Sequence, residues 1–412
     1  MALKRQAILA VAGAVLGLLG ATAQAGDRAP VGGGMSRADA LREAAALTAI
    51  GRRMFSDPRL SASGRLSCAS CHSPAHAYGP PNGRAVQAGG IDLRTSGLRA
   101  VPSLTYMQAT PPFALHFHES PDEGDESLDA GPAGGLTWDG RVDRGRDQAL
   151  LPLLSPLEMA NRDRASLAAV IEAKYGRALR AALGPAMPRG AQAALQAGLQ
   201  ALETFEQDVG EFAPYTSKYD AVLARTATLS EQEARGLAVF NDPKKGNCAH
   251  CHPSARNGGG LPQFTDFGLV ALGVPRNTAI PANRDANFFD FGLCGPLRVD
   301  LRDQSDYCGM FKTPSLRNVA LRKSFFHNGV FHDLRQVLEF YVERDVRPEK
   351  WYPRNADGSI RKFDDLPARY HENINIEPPF DRKPGDAPAL SSAEIDDVIA
   401  FLRTLTDGYA PH

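Results

Sequence analysis

Two short stretches decide the reading of this chain: Cys68-Ala69-Ser70-Cys71-His72 and Cys248-Ala249-His250-Cys251-His252. C-x-x-C-H is the attachment signature of c-type haem. Thiols at i and i+3 share one face of a helical turn and can form thioethers to the two haem vinyls. The adjacent histidine then presents its imidazole to the iron. At the Cys and His frequencies of this chain, one such pentapeptide is expected by chance on the order of 0.002 times. Zinc sites built from two C-x-x-C pairs usually separate them by about 15–20 residues, whereas Cys68 and Cys248 lie 180 residues apart. A thioredoxin-like dithiol needs a strand–helix setting and leaves two histidines unexplained. Plain disulfides, open to thiols in an oxidising compartment, do not account for the full pentapeptide.

Working outward, each motif is preceded by the same phrase. Gly51-Arg52-Arg53-Met54-Phe55-Ser56-Asp57-Pro58 comes before the first, and Gly236-Leu237-Ala238-Val239-Phe240-Asn241-Asp242-Pro243 before the second. Both read G-x-x-x-F-x-D-P, and an internal repeat of this kind marks a doubled architecture. Ser230-Glu231-Gln232-Glu233 is a capping box ahead of Leu237 and Phe240, and the proline stops each helix just before the haem motif. Each half also closes on an amphipathic helix: Leu195, Leu199, Leu202 and Phe205 in the first, and Ile395, Val398, Ile399, Leu402 and Leu405 in the second. The second follows Ser391, with Glu394 three residues on.

The fold expected is mainly α, with two tandem cytochrome c-like domains over residues 26–225 and 226–412, each with one covalently attached c-type haem. With 39 Gly and 30 Pro, long constrained loops join the helices. The changeover falls near 215–229, where apolar periodicity is weakest. The remaining cysteines, Cys294 and Cys308, enclose 13 residues and are expected as a disulfide in an exported protein, contributing about 3 kcal/mol by loop closure.

Residues 1–25 read as a secretory signal. Lys4 and Arg5 open it, residues 7–20 are apolar, and Ala23-Gln24-Ala25 is a small-x-small site with cleavage after Ala25. The apolar run falls short of the roughly 20 residues that a span needs. The mature protein is therefore expected to be periplasmic, with no stable membrane insertion. Lys plus Arg total 46 against 47 Asp plus Glu, so no clustered basic footprint for nucleic acid is indicated.

With these features assembled, the chain resembles the bacterial di-haem cytochrome c peroxidases and MauG-like enzymes over nearly all of its mature length. The likeness rests on the two haem motifs, Trp138-Asp139-Gly140-Arg141, the stretch from Gln148 to Met159, Phe311-Lys312-Thr313-Pro314-Ser315-Leu316-Arg317-Asn318, and Phe326-His327-Asn328-Gly329. The resemblance implies two haem c groups, bound through Cys68 and Cys71 and through Cys248 and Cys251. His72 and His252 would ligate the irons, and the N-terminal haem would react with hydrogen peroxide. In the family a Glu stands ten residues after a Gln, with a Pro between, above that haem; Gln148, Pro152 and Glu158 keep this spacing. A carboxylate in an apolar pocket can shuttle the proton that O–O cleavage requires, its pKa being set by burial. Taken alone, Glu158 reads more readily as a helix cap. Trp138 corresponds to the indole that relays an electron hole between the haems, although a lone Trp more often packs a core.

At the sixth position of the C-terminal haem, di-haem peroxidases place a Met fourteen residues after the His of F-H-x-G. Here that position is Tyr341, as in MauG-like members. A phenolate favours high oxidation states and lowers the iron's potential, whereas Met raises it. Met310 is the competing ligand. The family's blocking loop His is missing, since residues 79–98 hold no His, so the N-terminal iron is expected to be open; His76, too near His72, reads as a surface residue. The interdomain calcium of the family uses an Asn in R-N-x-P and carbonyls of a T-x-P segment. This chain has Arg99-Ala100-Val101-Pro102 and Arg322-Lys323-Ser324, which puts calcium in question. A surface Trp of MauG-like enzymes is replaced by Gly246, and Trp351 offers a substitute, although packing is the commoner use of such a residue. Residues 113–135 read as a solvated, partner-facing insertion, a better reading than a metal site built on its His116 and His118.

The function implied is that of a peroxide-dependent di-haem oxidoreductase. It would reduce hydrogen peroxide at the N-terminal haem and share oxidising equivalents with the C-terminal one. Its electrons would come from a small cytochrome c or cupredoxin. One alternative is oxidation of a Trp or Tyr on a partner protein. Another is a non-catalytic electron carrier, which has no need of Gln148 and Glu158 over an open iron.

Overall fold

The computed structural model describes residues 35–116, 131–256 and 259–410. The expected signal, His118 and most of the 113–135 insertion lie outside them. The helices in chain order are α1 (Arg37–Phe55), α2 (Cys68–Cys71), α3 (Gly145–Leu154), α4 (Arg164–Leu183), α5 (Ala191–Glu206), α6 (Val209–Phe212), α7 (Lys218–Leu223), α8 (Glu231–Asn241), α9 (Leu334–Glu343), α10 (Pro348–Trp351) and α11 (Ser392–Arg403). Among the described residues, sheet is confined to two antiparallel pairs of two-residue strands, Ala88–Gly89 with Thr95–Ser96, and Leu269–Val270 with Phe311–Lys312. The fold is mainly helical, as expected.

The repeated phrase has a packing cause. A Cβ on Gly51 would lie 1.9 Å from the Ala201 carbonyl oxygen of α5, and one on Gly236 would lie 2.0 Å from the Asp397 carbonyl oxygen of α11. Only glycine lets the first helix of each half cross the last at this distance. Four residues on, Phe55 meets Phe205 at 5.4 Å, and Phe240 meets Phe401 at 5.2 Å. The same crossing is built twice, from residues at matching places.

Around these crossings lie two apolar cores. One runs from Leu47 to Phe212 and includes Met54, Leu167, Ile171 and Leu195; the other runs from Tyr219 to Leu405 and includes Phe264, Phe340 and Val398. The 215–229 segment, weak in periodicity, still holds α7, because Ser217 accepts from the Asp220 backbone N–H while Asp220 accepts from Ser217. Asp220 also takes both terminal nitrogens of the buried Arg317, at 3.0 and 2.9 Å. Cys294 and Cys308 form the expected disulfide, with Cα atoms 5.0 Å apart. Among the described residues no helix is long and apolar enough to cross a membrane.

Candidate active site

The residues of both pentapeptides that would hold haem, together with Trp138, Gln148, Pro152, Glu158 and Tyr341, line one continuous cavity of about 700 Å³. The two pentapeptides stand on its wall, each on a single turn. Cys68 opens α2, capped by Ser67 and Ser70, and Cys248 opens a 3₁₀ turn after Asn247 in left-handed conformation. The four thiols Cys68, Cys71, Cys248 and Cys251 are unpaired, in contrast to Cys294 and Cys308. His72 Nδ1 donates to the Tyr78 carbonyl at 3.0 Å, and His252 Nδ1 to the Phe264 carbonyl at 2.8 Å. That bond fixes the tautomer and leaves the Nε2 lone pair available to a metal. Burial pushes His72 down to about 4 and lowers His252 as well, so both rings are neutral near neutral pH, as ligation requires.

Gln148 sits in the first turns of α3, Pro152 lies inside that helix, and Glu158 follows it in a turn rather than capping it. The Glu158 N–H bonds the Ser155 carbonyl at 3.1 Å, and its own carbonyl accepts from Gly90 at 2.8 Å. The hairpin behind it is close-fitting: a Cβ on Gly89 would fall 2.1 Å from the Leu157 carbonyl oxygen. The Glu158 carboxyl opens into the cavity. Burial raises its pKa above the usual range, opposed by Ser155 and by the Arg141 charge. A carboxyl so placed, with its neutral form favoured, can accept and return a proton.

Trp138 is buried and lines the same cavity as the two pentapeptides, on a turn with Thr137 at φ +74°. Non-glycine residues seldom adopt this conformation, and the Thr137 hydroxyl is tied to Asp139 at 2.6 Å. Its indole nitrogen donates to the Ala100 carbonyl at 2.7 Å, and the Ala100 N–H donates to the His327 carbonyl at 2.7 Å. Asp139, fully buried, takes Arg99 at 2.7 Å and Arg141 at 2.8 Å, and Arg99 also grips Asp290 through two bonds. The arginines hold the Asp139 carboxyl below the ordinary range despite burial.

Tyr341 projects from α9 into the cavity, flanked by Phe326 at 5.9 Å and Phe380 at 5.4 Å. Burial and the nearby Cys251 and Cys248 thiols raise the phenol's pKa. Met310 does not line the cavity and packs instead beside two small apolar clusters. Trp351 sits edge-on to Phe331 at 5.5 Å and Phe340 at 5.6 Å, with Lys350 over its ring. His76 bonds Ser73 and lies on the cavity rim. Sequence reasoning missed the work of Arg99, Arg141, Asp290 and His327. Arg99, Arg141 and His327 stood inside recognised phrases, but their bonding did not show there, because a network closed over such separations has no local signature.

The di-haem cytochrome c peroxidase family profile matches residues 45–228. Over 374 residues, 88% of this chain and 89% of the relative, the sequence is 34% identical to the methylamine utilization protein MauG of Paracoccus denitrificans. This chain belongs to the di-haem cytochrome c peroxidase family. It is 25% identical to the cytochrome c peroxidase Ccp of Escherichia coli, spanning 88% of this chain and 59% of that one. Among solved structures, the diheme peroxidase BthA from Burkholderia thailandensis superposes with a TM-score of 0.76 at 39% identity, covering 88% of this chain and 86% of that one. A di-haem peroxidase needs haem, and the residues fit it: two unpaired thiols and one pre-oriented neutral imidazole stand on each wall of a large, mostly apolar cavity. Calcium does not fit. Ala100 has no side-chain oxygen, and the Ser324 carbonyl is taken by Arg322 at 3.1 Å.

Proposed function

We propose that this di-haem peroxidase reduces hydrogen peroxide in its N-terminal half and passes oxidising equivalents to its C-terminal half. Its two cytochrome c-like domains would meet near 215–229, and the chain would be exported with loss of residues 1–25. One haem c would be held by Cys68 and Cys71 with His72 on the iron. The other would be held by Cys248 and Cys251, between His252 and Tyr341. When bound, the N-terminal haem supplies the iron that peroxide attacks and the electrons that break its O–O bond. The protein does the rest. Glu158 takes a proton from one peroxide oxygen and returns it to the other, while Gln148 holds the peroxide by hydrogen bonding. Overall, peroxide takes up two electrons and two protons and leaves as two waters. Trp138 carries the electron hole between the halves. Electrons arrive from a small cytochrome c or cupredoxin.

The observation that carries this reading is that Gln148 and Glu158 share one cavity with His72 and Trp138. A carrier of electrons alone has no use for a carboxyl held there with a raised pKa. Tyr341 on the cavity wall supports a second reading, oxidation of a Trp or Tyr on a partner protein. Rapid mixing of the fully oxidised holoprotein with stoichiometric peroxide, followed from the Soret band into the near infrared, tests both. A fast change is expected without prior reduction, and a long-lived near-infrared band would favour the partner-protein reading. No reaction until one haem is reduced would mean a hidden sixth ligand on the N-terminal iron.

A further inference from the structure

Arg322 lies at the join of two segments 221 positions apart in the chain. Its Nη2 donates to the Val101 carbonyl and to the Ser324 carbonyl, each at 3.1 Å. Among the described residues no carboxylate pairs with it, and burial alone lowers its pKa to about 10. Arg322 is half-buried, and a guanidinium drawn back from water in this way commonly takes a carboxylate partner. Carbonyl oxygens converging on one cation are instead the donor set of a hard metal ion. The two segments are those that hold calcium in the family this chain resembles. Here the Asn that would complete that site is Ala100, and a side-chain cation already sits on one carbonyl of each segment, Val101 and Ser324.

We propose that the Arg322 guanidinium is a built-in replacement for calcium, a side-chain cation that fixes segment 99–102 against segment 322–324. The consequences run along the backbone. Val101 follows Ala100, whose carbonyl receives the Trp138 indole and whose N–H is bonded to His327. Pro102 follows in turn, and its carbonyl acts on His72, as does the Arg322 charge. Arg322 is thus a positioning residue for both the indole and the His72 loop. It supplies one positive charge where calcium would supply two, and no chelator can remove it.

The test begins with the unaltered holoprotein, equilibrated with calcium chloride, desalted and analysed for metal. No stoichiometric calcium is expected, and a chelator should leave the optical and electron paramagnetic resonance signatures of both haems unchanged. One calcium retained per chain, or a spectrum that changes on chelation, overturns the proposal. Arg322→Ala is expected to shift the resonance signal and midpoint potential of the N-terminal haem and spare those of the C-terminal haem. Arg322→Lys, which keeps a cation, should show little of that shift. An Arg322→Ala holoprotein with an unshifted N-terminal haem also overturns it. Should Arg322→Ala yield no holoprotein, the calcium analysis still decides. None of these readouts uses peroxide, so failure here is separate from failure of the peroxidase reading.

Discussion

The indole nitrogen of Trp138 is held at 2.7 Å by the carbonyl of Ala100, whose own N–H is bonded to the carbonyl of His327. Ala100 thus joins Trp138 to His327 of the F-H-N-G turn. A buried donor left without its acceptor costs about 1–3 kcal/mol, so the bond fixes the ring's orientation as well as its depth.

Trp138→Phe keeps a buried ring but leaves the Ala100 carbonyl unsatisfied. The expected outcome is a loss of about 1–3 kcal/mol, read as a modest fall in the midpoint of denaturant unfolding. Electron redistribution between the haems should slow, while the first reaction with peroxide keeps its rate. Unchanged redistribution after rapid mixing would return Trp138 to a packing role.

Glu158→Gln keeps the shape of the turn and removes the proton acceptor. The reaction with peroxide should slow by about 10²–10⁴-fold, the usual worth of a general acid–base group. Burial raises the carboxyl above its usual range, so the neutral form persists to higher pH. The native rate should therefore climb as pH rises through that elevated value, and the Gln variant's profile should be flat there. An unchanged rate removes Glu158 from the mechanism.

Much of this was legible because it was local. The capping boxes at Ser230 and Ser391, the stops after Phe55 and Asn241, and the glycines that permit the two helix crossings are all written within a few residues. The disulfide was legible from compartment and spacing. The Arg99–Asp139–Asp290 network was not, since its members lie 40 and 191 positions apart and each alone is an ordinary surface-type charge. Helix α7 carries a local signal, the Ser217–Asp220 capping pair, but its weak apolar periodicity hid it, and its ties to Arg317 and to the second core through Tyr219 lie far along the chain. Arg322 stood out only as a departure from the family pattern, and its bonds give that departure a physical meaning.

Tyr341→Met should raise the potential of the C-terminal haem, because a thioether favours the reduced iron and a phenolate the oxidised one. The site tolerates the change, since Phe326 and Phe380 flank the position and sulfur packs well against aromatic rings. A potentiometric titration followed by absorbance reads the shift. A potential that does not move excludes Tyr341 as a ligand.

The Arg317–Asp220 pair should dominate acid sensitivity around α7. Both groups are buried, and Arg317 also lies 4.6 Å from the Tyr106 and Tyr215 ring centres. Burial acts to raise the Asp220 carboxyl, but bonds from Arg317 and Ser217 outweigh it and hold it below the ordinary aspartate range. Its contribution is therefore complete above that ordinary range and is lost as pH falls through the depressed folded value. Asp220→Ala strands a buried guanidinium and should cost about 3–5 kcal/mol near neutral pH, a penalty that shrinks in acid as the native carboxyl protonates. The double replacement Asp220→Leu with Arg317→Met removes both charges and should recover most of the loss. Denaturant unfolding of the three proteins at two pH values separates the cases: if the double variant is as weak as the single one, the stability lies in the Arg317 contacts with Pro262 and the tyrosines rather than in the ion pair.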